Sequence, residues 1–310
     1  MRRIAALAIL GLLAACSGTA SSPAAPTADP AKDKLAQVLA RGTLVLWTDL
    51  EYPPQSFAVE GATRAAETKC TPNQLTGPEV SGYDAETGKL VAAAMGLEPC
   101  FVSTPFDSMI GGSWGDRFDV AWASGAITVS RMETLYVTQP YYSTPATFFV
   151  GTSSSVTKPE ELSGKEIGAC SGCTHDQYLR RTLELPGATI DWLVDDPQIV
   201  TYNQELPGLE DTANGEIDAF LCSEPVGLGA IKDGAALREL ETPAYYTQKS
   251  GYIDRDLALD PKAFIDRISA EVSGLHAAGK LKALSQEFFG SDYATPAGSF
   301  DLSAVGQTVP

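Results

Sequence analysis

Strand-like and helix-like segments alternate along most of this chain, and this alternation limits the folds that it can adopt. Residues 44–48 (LVLWT) predict a buried strand, and residues 82–96 predict a helix that ends at a glycine. A second strand is predicted from Cys100 and a short helix from Phe106. Repeated strand–helix units form mostly parallel sheets, with ligand sites at the carboxyl ends of the strands. The sequence therefore predicts an α/β protein.

The same order of segments is repeated from about residue 147. Strands are predicted at residues 167–170, 189–194 and 217–222, and helices are predicted to begin near Thr174 and to cover residues 226–231. The chain is then predicted to return near residues 245–251 to the first half, and to end with helices at residues 261–277 and 280–289. We therefore expect two lobes and a hinge of two crossovers, with residues 294–310 as a tail that wraps or frays.

Arg131 is the centre of the most informative stretch, residues 118–142. Residues 118–123 predict a buried strand, residues 124–126 are expected to break it, and a short helix capped by Thr128 is expected to follow. A cation in a first helical turn opposes the helix dipole, so an arginine at this place indicates a role in binding an anion. An ordinary surface salt bridge is the alternative.

Residues 127–131 (ITVSR) and 137–142 (VTQPYY) resemble the signature of the family 3 solute-binding proteins, the amino-acid receptors of bacterial ABC importers. The resemblance extends from about residue 35 to residue 293. It implies the two-lobed periplasmic-binding-protein fold of type II, known as the Venus flytrap. Residues 35–145 would form lobe 1, residues 146–246 lobe 2, and residues 247–293 the return to lobe 1. In that family the arginine holds the α-carboxylate of the ligand, which implies this role for Arg131.

The resemblance also implies the remaining ligand contacts. Thr174 matches the threonine of the second lobe that meets the same carboxylate. Tyr52 and Phe106 are expected to sandwich the ligand, whereas Trp47 and Trp122 are assigned to the core. Asp49 matches an acidic position that reaches cationic side chains, with an Asx turn as its alternative role. The expected ligand-binding set is Asp49, Tyr52, Phe106, Ser124, Ala126, Arg131, Cys173, Thr174 and Ser223.

Two positions depart from the family pattern. Members usually place an aspartate for the α-ammonium group after the last strand of the lobe 2 sheet, where this chain has Ser223 and Glu224. Ala126 stands where a hydroxyl residue often helps to bind the amine. A ligand without an α-ammonium group, or a quaternary amine stacked on Tyr52 and Phe106, therefore stays open beside a standard amino acid.

The first 34 residues predict a targeting segment and a tether. Arg2 and Arg3 precede an apolar run, and residues 13–16 (LAAC) match a lipobox with cleavage before Cys16. We therefore expect a lipoprotein signal peptide at residues 1–15, lipid attachment at Cys16 and a disordered tether over residues 16–34. The mature protein would be extracytoplasmic, in the periplasm or at the outer cell surface, and tied to a membrane. An ordinary secretory signal is the alternative.

The remaining cysteines agree with an oxidising compartment. A disulfide between Cys70 and Cys100 would fasten the polar segment 60–80 to the sheet. The pairing of Cys170, Cys173 and Cys222 is left open. Cys170 and Cys173 form a C-x-x-C, but neither a metal site nor redox chemistry is expected, because the chain has no second C-x-x-C and two histidines in all.

The balance of charge bears on the partners. With a formal net charge of −17, the chain lacks the clustered Lys and Arg side chains that bind nucleic acid. The expected function is high-affinity capture of a small carboxylate-bearing solute, in the first place an amino acid or close analogue, for delivery to an ABC permease by ligand-induced lobe closure. We expect a monomer without enzymatic activity or cofactor. The alternatives are a cyclohexadienyl-type dehydratase and a sensory binding module. In the dehydratase, Glu224 or Asp49 could serve as the general acid or base, and His175 could help only if it turned inward.

Overall fold

The structure is a computed structural model that describes residues 28–309. The expected signal peptide, the lipid attachment at Cys16 and most of the tether lie outside the described residues. Within the described part, no helix combines the length and apolar character that crossing a bilayer requires.

Three consecutive parts of the chain carry the secondary structure. The first contains α1 (Lys34–Arg41), β1 (Thr43–Trp47), β2 (Glu51–Tyr52), β3 (Ser56–Ala58), β4 (Leu75–Thr76), β5 (Val80–Ser81), α2 (Tyr83–Ala94), β6 (Glu98–Val102), α3 (Phe106–Ile110), β7 (Val120–Ala126) and β8 (Leu135–Val137). The second contains β9 (Tyr142–Gly151), β10 (Glu166–Cys170), α4 (Thr174–Leu179), β11 (Gln198–Tyr202), α5 (Glu205–Asn214), β12 (Ala219–Ser223), α6 (Glu224–Lys232) and β13 (Leu237–Glu239). The third contains β14 (Tyr245–Asp254), α7 (Lys262–Ala277), α8 (Lys280–Phe289) and α9 (Ala294–Gly298).

Two long strands connect the lobes. In the first lobe β1 pairs in parallel with β6 and β7, and in the second lobe β10 pairs in parallel with β11 and β12. The strands β9 and β14 run antiparallel to each other, with Tyr245 opposite Ala146 and Lys249 opposite Tyr142. Because β9 also pairs with β12 and β14 also pairs with β7, this strand pair is the junction of the two lobes. The two-lobed α/β fold with two crossovers is therefore confirmed.

Each lobe has its own hydrophobic core. In the first lobe Leu44 of β1 and Val91 of α2 pack with Ile268 of the returning helix α7. In the second lobe Ile167 of β10 and Leu221 of β12 pack with neighbours that include Phe148 of β9. Every residue of β1 and of β12 is buried, because helices and loops cover both faces of the sheet there.

The strand predicted at residues 189–194 is absent from the described structure, and this prediction was wrong. The Tyr178 hydroxyl donates to the Asp191 carbonyl and accepts from the Leu193 amide, at 2.9 Å each, so these backbone groups bond to a side chain and not to a strand. The apolar side chains of this segment still pack on the lobe 2 core. The strand next to β10 is instead β11, four residues further along.

The break expected at residues 124–126 is also wrong, because β7 continues to Ala126. Gly125 lies opposite Ser250 of β14, and a Cβ atom at Gly125 would come within 2.5 Å of the Tyr252 ring. The glycine thus allows the Tyr252 ring to pack directly on the backbone of β7. The helix expected after it is a single 3-10 turn, Arg131–Glu133, with Ser130 and not Thr128 at the N-cap position. The Thr128 Oγ1 still accepts from the Arg131 amide at 3.2 Å.

Two disulfides form among the described residues. The predicted bridge between Cys70 and Cys100 is confirmed, and it fastens the polar segment to β6. The second bridge joins Cys170 and Cys173, which settles the pairing that the sequence left open. Cys222 is a buried free thiol.

The chain end after residue 293 lies against the first lobe. Ala294 and Ala297 are fully buried. Further on, the side-chain amide of Gln307 bonds to both backbone groups of Val137: its Oε1 accepts from the Val137 amide at 2.6 Å, and its Nε2 donates to the Val137 carbonyl at 3.0 Å.

Candidate ligand-binding site

A cavity of about 630 Å³ lies between the lobes, where strands of both sheets end. The first lobe lines it with Asp49, Leu50, Glu51, Tyr52, Ser103, Thr104, Pro105, Phe106, Ala123, Ser124, Ala126 and Arg131. The second lobe lines it with Cys170, Ser171, Cys173, Thr174, His175, Asn203, Gln204 and Glu205, and the hinge strand β14 contributes Lys249. The volume is suited to one small molecule.

Arg131 presents a largely buried guanidinium to this cavity, with 6% of the residue exposed. Its Nη1 donates to the Ala126 carbonyl at 3.3 Å and to the Tyr252 hydroxyl at 3.2 Å. Its Cζ lies 5.5 Å from the ring centroid of Phe106. Its Nε is buried and has no hydrogen-bond partner among the described residues. The position of the group is therefore fixed while donor capacity remains for an anion.

Lys249 is a second buried cation in the same wall. It lies opposite Ala126 in the sheet, and 3% of the residue is exposed. Within the described part of the chain, no carboxylate oxygen lies within 4.0 Å of its ammonium nitrogen. The pKa of Lys249 is lowered to about 8, chiefly by burial and then by the charge of Arg131, while the charges of Glu205 and Asp84 oppose the decrease. A buried ammonium group without an ion-pair partner favours an anionic ligand.

Three carboxylates line the cavity as well. Burial raises the pKa of Asp49, and the charges of Glu51 and Glu205 add to the increase, whereas a hydrogen bond from the Glu51 amide lowers it. Glu205 at the start of α5 is 4% exposed, and its Oε2 has no partner among the described residues. No Lys or Arg forms a salt bridge with any of the three in the described chain. The cavity thus contains acidic groups that a cationic ligand group could neutralise.

His175 faces Glu205 inside the cavity. Its Nδ1 lies 3.3 Å from Glu205 Oε1, and both residues are almost fully buried. Burial lowers the pKa of His175, while the hydrogen bond to Glu205 raises it. The direction of the net shift favours the neutral ring at pH 7, with the proton on Nδ1 because the carboxylate accepts there.

Ser124 lines the cavity, but its hydroxyl is bound to the protein. It donates to the Asp84 carboxyl at 2.6 Å and accepts from the Tyr142 hydroxyl. The Tyr141 hydroxyl donates to the other Asp84 oxygen at 2.9 Å. Burial raises the pKa of Asp84 to about 7, and both hydrogen bonds oppose the increase. This network supports the cavity wall.

Eight of the nine ligand-binding residues expected from the sequence line this cavity, and Ser223 does not. Ser223 is the N-cap of α6, is 2% exposed, and its side chain interacts with Tyr52, the pKa of which is raised chiefly by burial. Glu224, the acidic residue that follows Ser223, also lies outside the cavity, and its Oε2 accepts from the Tyr293 hydroxyl at 2.5 Å. Trp47 and Trp122 are buried in the core as expected.

Sequence reasoning did not find Lys249 or Glu205. Glu205 follows β11, the strand that was predicted at the wrong place, so the turn that carries it was not considered. Lys249 lies in the returning strand β14. A lysine within a strand that is expected to be buried could have been taken as a sign of a binding site. His175 was considered, and it has turned into the cavity.

The sequence profile of the bacterial extracellular solute-binding proteins, family 3, matches residues 44–291. The chain belongs to this family. Among curated relatives of this solute-binding protein, the L-arginine-binding protein of Pseudomonas aeruginosa is 26% identical over 263 residues, covering 82% of this chain and 95% of the relative. The L-cystine-binding protein of Escherichia coli K12 is 23% identical over 260 residues, covering 83% and 86%.

Solved structures resemble this solute-binding protein in fold. An ancestral amino-acid-binding protein, described as a precursor of cyclohexadienyl dehydratase, aligns with a TM-score of 0.66 at 19% identity, covering 83% of this chain and all of that one. An ancestral arginine-binding protein in complex with arginine aligns with a TM-score of 0.63 at 19% identity, covering 80% and 98%. At such identities the likeness concerns the fold alone.

Proposed function

We propose that this solute-binding protein captures an α-amino acid with a cationic side chain and delivers it to an ABC importer. The observation that carries the proposal is the set of charges in one cavity. Two buried cations, Arg131 and Lys249, lie in the same cavity as three carboxylates that have no salt bridge to Lys or Arg in the described chain. A zwitterion with an additional positive charge complements this set.

The α-carboxylate is assigned to the two cations. Arg131 has free donor capacity, and a planar guanidinium binds a carboxylate through two parallel hydrogen bonds. Lys249 adds a second charge from the hinge strand, and the hydroxyl and amide of Thr174 approach from the second lobe. Because these groups come from both lobes and the hinge, the ligand makes all of its contacts only when the lobes are closed.

The α-ammonium group is assigned to Glu205. This assignment supplies the counter-ion that the family usually places after the last strand of lobe 2. The Oε2 of Glu205 has no partner among the described residues, so an ammonium group would satisfy a buried acceptor. The neighbouring His175 holds Oε1 and leaves Oε2 for the ligand.

The cationic side chain is assigned to the space between Tyr52 and Phe106, with Asp49 and Glu51 at its end. Aromatic faces attract cations, and the approach of a cation would return the pKa of Asp49 toward its ordinary value. The names of the relatives, which include L-arginine-binding and L-cystine-binding proteins, support an amino-acid ligand.

We further propose that the mature protein works outside the cytoplasm as a monomer, held to a membrane by a lipid on Cys16. The lipobox at residues 13–16 supports the anchor. The domain limits proposed from the sequence, with lobe 1 at residues 35–145 and 247–293 and lobe 2 at residues 146–246, agree with a hinge at β9 and β14.

Calorimetric titration of the soluble chain that starts at Ala31 tests the proposal. We expect L-arginine to bind with high affinity, agmatine, which lacks the carboxylate, to bind at least about 30-fold more weakly, and L-glutamate not to bind. Arg131→Ala should lower L-arginine affinity by a similar factor, because it leaves the carboxylate without its main partner. Arg267→Ala is the matched control, since Arg267 forms a partly exposed ion pair with Glu271 far from the cavity. Equal affinity for L-arginine and agmatine would contradict the proposal.

A dehydratase is the second candidate, because His175 and Glu205 form a buried proton-transfer pair inside the cavity. We favour binding without turnover, as the named relatives are binding proteins. Incubation with prephenate and arogenate, followed by chromatography for aromatic products, separates the two functions. Product formation that is lost in Glu205→Gln would support the enzyme.

A further inference from the structure

The ligand cavity contains a disulfide in its wall. Cys170 at the end of β10 and Cys173 before α4 both line the cavity and are joined to each other. Cys170 is partly exposed, whereas Cys173 is 8% exposed. The other disulfide is different in this respect, because Cys70 and Cys100 belong to a hydrophobic core cluster and Cys100 is fully buried. A bound ligand can therefore contact the Cys170–Cys173 bridge, whereas the Cys70–Cys100 bridge is structural.

The cavity disulfide lies beside a proton carrier. His175 Nδ1 is 3.6 Å from the Cys170 sulfur and 3.4 Å from the Cys173 sulfur. Glu205 Oε1 lies 3.3 Å from His175 Nδ1 and 3.3 Å from the Cys170 sulfur. Lys249 and Arg131 line the same cavity as the disulfide, and positive charge there favours a thiolate.

We propose that the Cys170–Cys173 disulfide undergoes exchange with the thiol of a captured thiol-bearing amino acid, so that the ligand is held as a mixed disulfide. The inference rests on the proposed function in one respect, namely that Arg131 holds the ligand carboxylate. Cysteine and its short peptides are the chemical class, because they combine a carboxylate with a thiol a few bonds away.

The step balances without an external oxidant, since the protein disulfide is itself the oxidant. The ligand thiol loses its proton, and its sulfur forms a bond to the Cys170 sulfur, which is the more accessible of the two. The Cys170–Cys173 bond breaks, and its electron pair leaves with the Cys173 sulfur. His175 takes up the proton of the ligand thiol on its unprotonated ring nitrogen, and its Nδ1–H, at 3.4 Å from the Cys173 sulfur, is given to the departing thiolate, so that the ring is neutral again. The ligand sulfur is oxidised and Cys173 is reduced.

From the sequence, redox chemistry was not expected at this C-x-x-C, because the chain has no second C-x-x-C motif and two histidines in all. The structure adds three facts that change this interpretation: the pair is bonded, it faces the ligand cavity, and a buried histidine contacts both sulfurs. The reverse reaction uses the same residues. Attack by Cys173 on the mixed disulfide releases the ligand thiol and restores the bridge, so that capture is reversible.

Peptide mass spectrometry on the oxidised chain tests the inference. The protein is incubated without oxygen with L-cysteine, quenched in acid and treated with N-ethylmaleimide. We expect cysteinylation at Cys170 together with alkylation at Cys173, while the Cys70–Cys100 bridge stays intact as an internal control. Cysteamine has the same thiol and amine but no carboxylate, and should react at least about tenfold more slowly, because it lacks the contact that orients the thiol.

Three variants sharpen the test. Arg131→Ala should slow the reaction of L-cysteine far more than that of cysteamine, so that L-cysteine loses its advantage over cysteamine. His175→Asn should slow both thiols, because the leaving thiolate loses its proton donor. Arg267→Ala should react as the unaltered protein does. Saturating L-arginine should protect the Cys170–Cys173 bridge from L-cysteine if both ligands occupy the cavity.

Two results would overturn the inference: no adduct on Cys170 or Cys173, or equal rates for L-cysteine and cysteamine. The proposed function is measured separately by calorimetry with L-arginine. Arginine binding without thiol exchange would remove the inference and keep the proposed function. Exchange that is selective for L-cysteine in a chain that does not bind L-arginine would keep the inference and redirect the ligand class.

Discussion

Gln204 of the second lobe donates through its Nε2 to Glu51 Oε2 of the first lobe at 3.1 Å, which joins the two walls of the ligand cavity. Both side chains line the cavity. A backbone contact joins the lobes elsewhere, from the Val129 amide to the Glu184 carbonyl at 3.0 Å. The arrangement of lobes in the structure is therefore a closed one, and these contacts add to the stability of that state.

Removing the Gln204 contact should shorten the lifetime of the complex. An exposed hydrogen bond contributes about 0.5–1.5 kcal/mol, so Gln204→Ala should raise the dissociation rate by roughly two- to tenfold with little change in the association rate. Stopped-flow measurement of ligand release checks this. Gln198→Ala is the matched control, because the Gln198 side chain donates through Nε2 to the Gly164 carbonyl within the second lobe. If both variants release the ligand equally fast, Gln204 has no special part in closure.

Gly125 should be required for the position of Arg131. An added Cβ would lie 2.5 Å from the Tyr252 ring, and the Tyr252 hydroxyl accepts from Arg131. Gly125→Ala should therefore cost about 1–3 kcal/mol in the free energy of unfolding and should also weaken ligand binding. Urea denaturation and calorimetry give the two quantities.

Gly274 in α7 is the control for this substitution. A Cβ atom added at Gly274 would have no neighbouring atom within 4 Å, and the φ of this glycine is not positive. Gly274→Ala should raise the free energy of unfolding by roughly 0.5–1 kcal/mol through helix propensity and leave binding unchanged. If the Gly125→Ala protein is as stable as the Gly274→Ala protein, the Tyr252 ring can move away from β7 without a loss in the free energy of unfolding.

Lys249 should make ligand affinity depend on pH above neutrality. Its pKa is lowered to about 8, so it is mainly protonated at pH 7 and neutral at pH 9. A bound carboxylate favours the protonated form, so affinity should be constant below about pH 8 and should fall above it, by up to about tenfold per pH unit. Titration of the ligand amine contributes to the same range.

Comparison with Lys249→Met isolates the contribution of the lysine. The ligand amine titrates equally with both proteins, so the ratio of their dissociation constants reports on Lys249 alone. This ratio should approach one by pH 10. The variant should also be at least as stable as the unaltered protein, because it replaces a buried charge by a side chain of similar volume. A ratio independent of pH would place the ligand carboxylate away from Lys249.

The two disulfides should differ in their contribution to stability. The Cys70–Cys100 bridge spans 30 residues and the Cys170–Cys173 bridge spans 3. Because a cross-link restricts the unfolded chain more when its loop is longer, replacing the first pair by serine should cost about 3–4 kcal/mol and replacing the second about 1–2 kcal/mol. Urea denaturation of the two double variants measures both. The opposite order would indicate that the second bridge maintains the native turn.

Much of the first lobe could be predicted from the sequence, because local signals and tertiary packing agree there. The segment 82–96 has a glycine after its last turn and forms α2, and the two long helices near the end also form where their apolar spacing indicates. The segment 189–194 shows the opposite case. Its apolar side chains pack on the core, but hydrophobicity does not determine which backbone groups pair.

The candidate site was predictable where residues belong to a recognisable motif. Arg131 and Thr174 stand in short segments that resemble the family pattern, and both line the cavity. Lys249 and Glu205 come from the returning strand and from a helix that was not predicted. Their proximity depends on the way the chain crosses twice between the lobes, which no local pattern contains.

The contact between Gln307 and Val137 has a practical meaning for the way this protein associates. In the described part of the chain, strand β8, which contains Val137, pairs with β14 on one side only. On its other side the Gln307 side-chain amide offers one acceptor and one donor, as the backbone of an additional strand would. A single glutamine thus imitates the backbone and blocks an open sheet edge. Chains shortened before Gln307 should offer that edge to one another, and light scattering would detect the resulting aggregation.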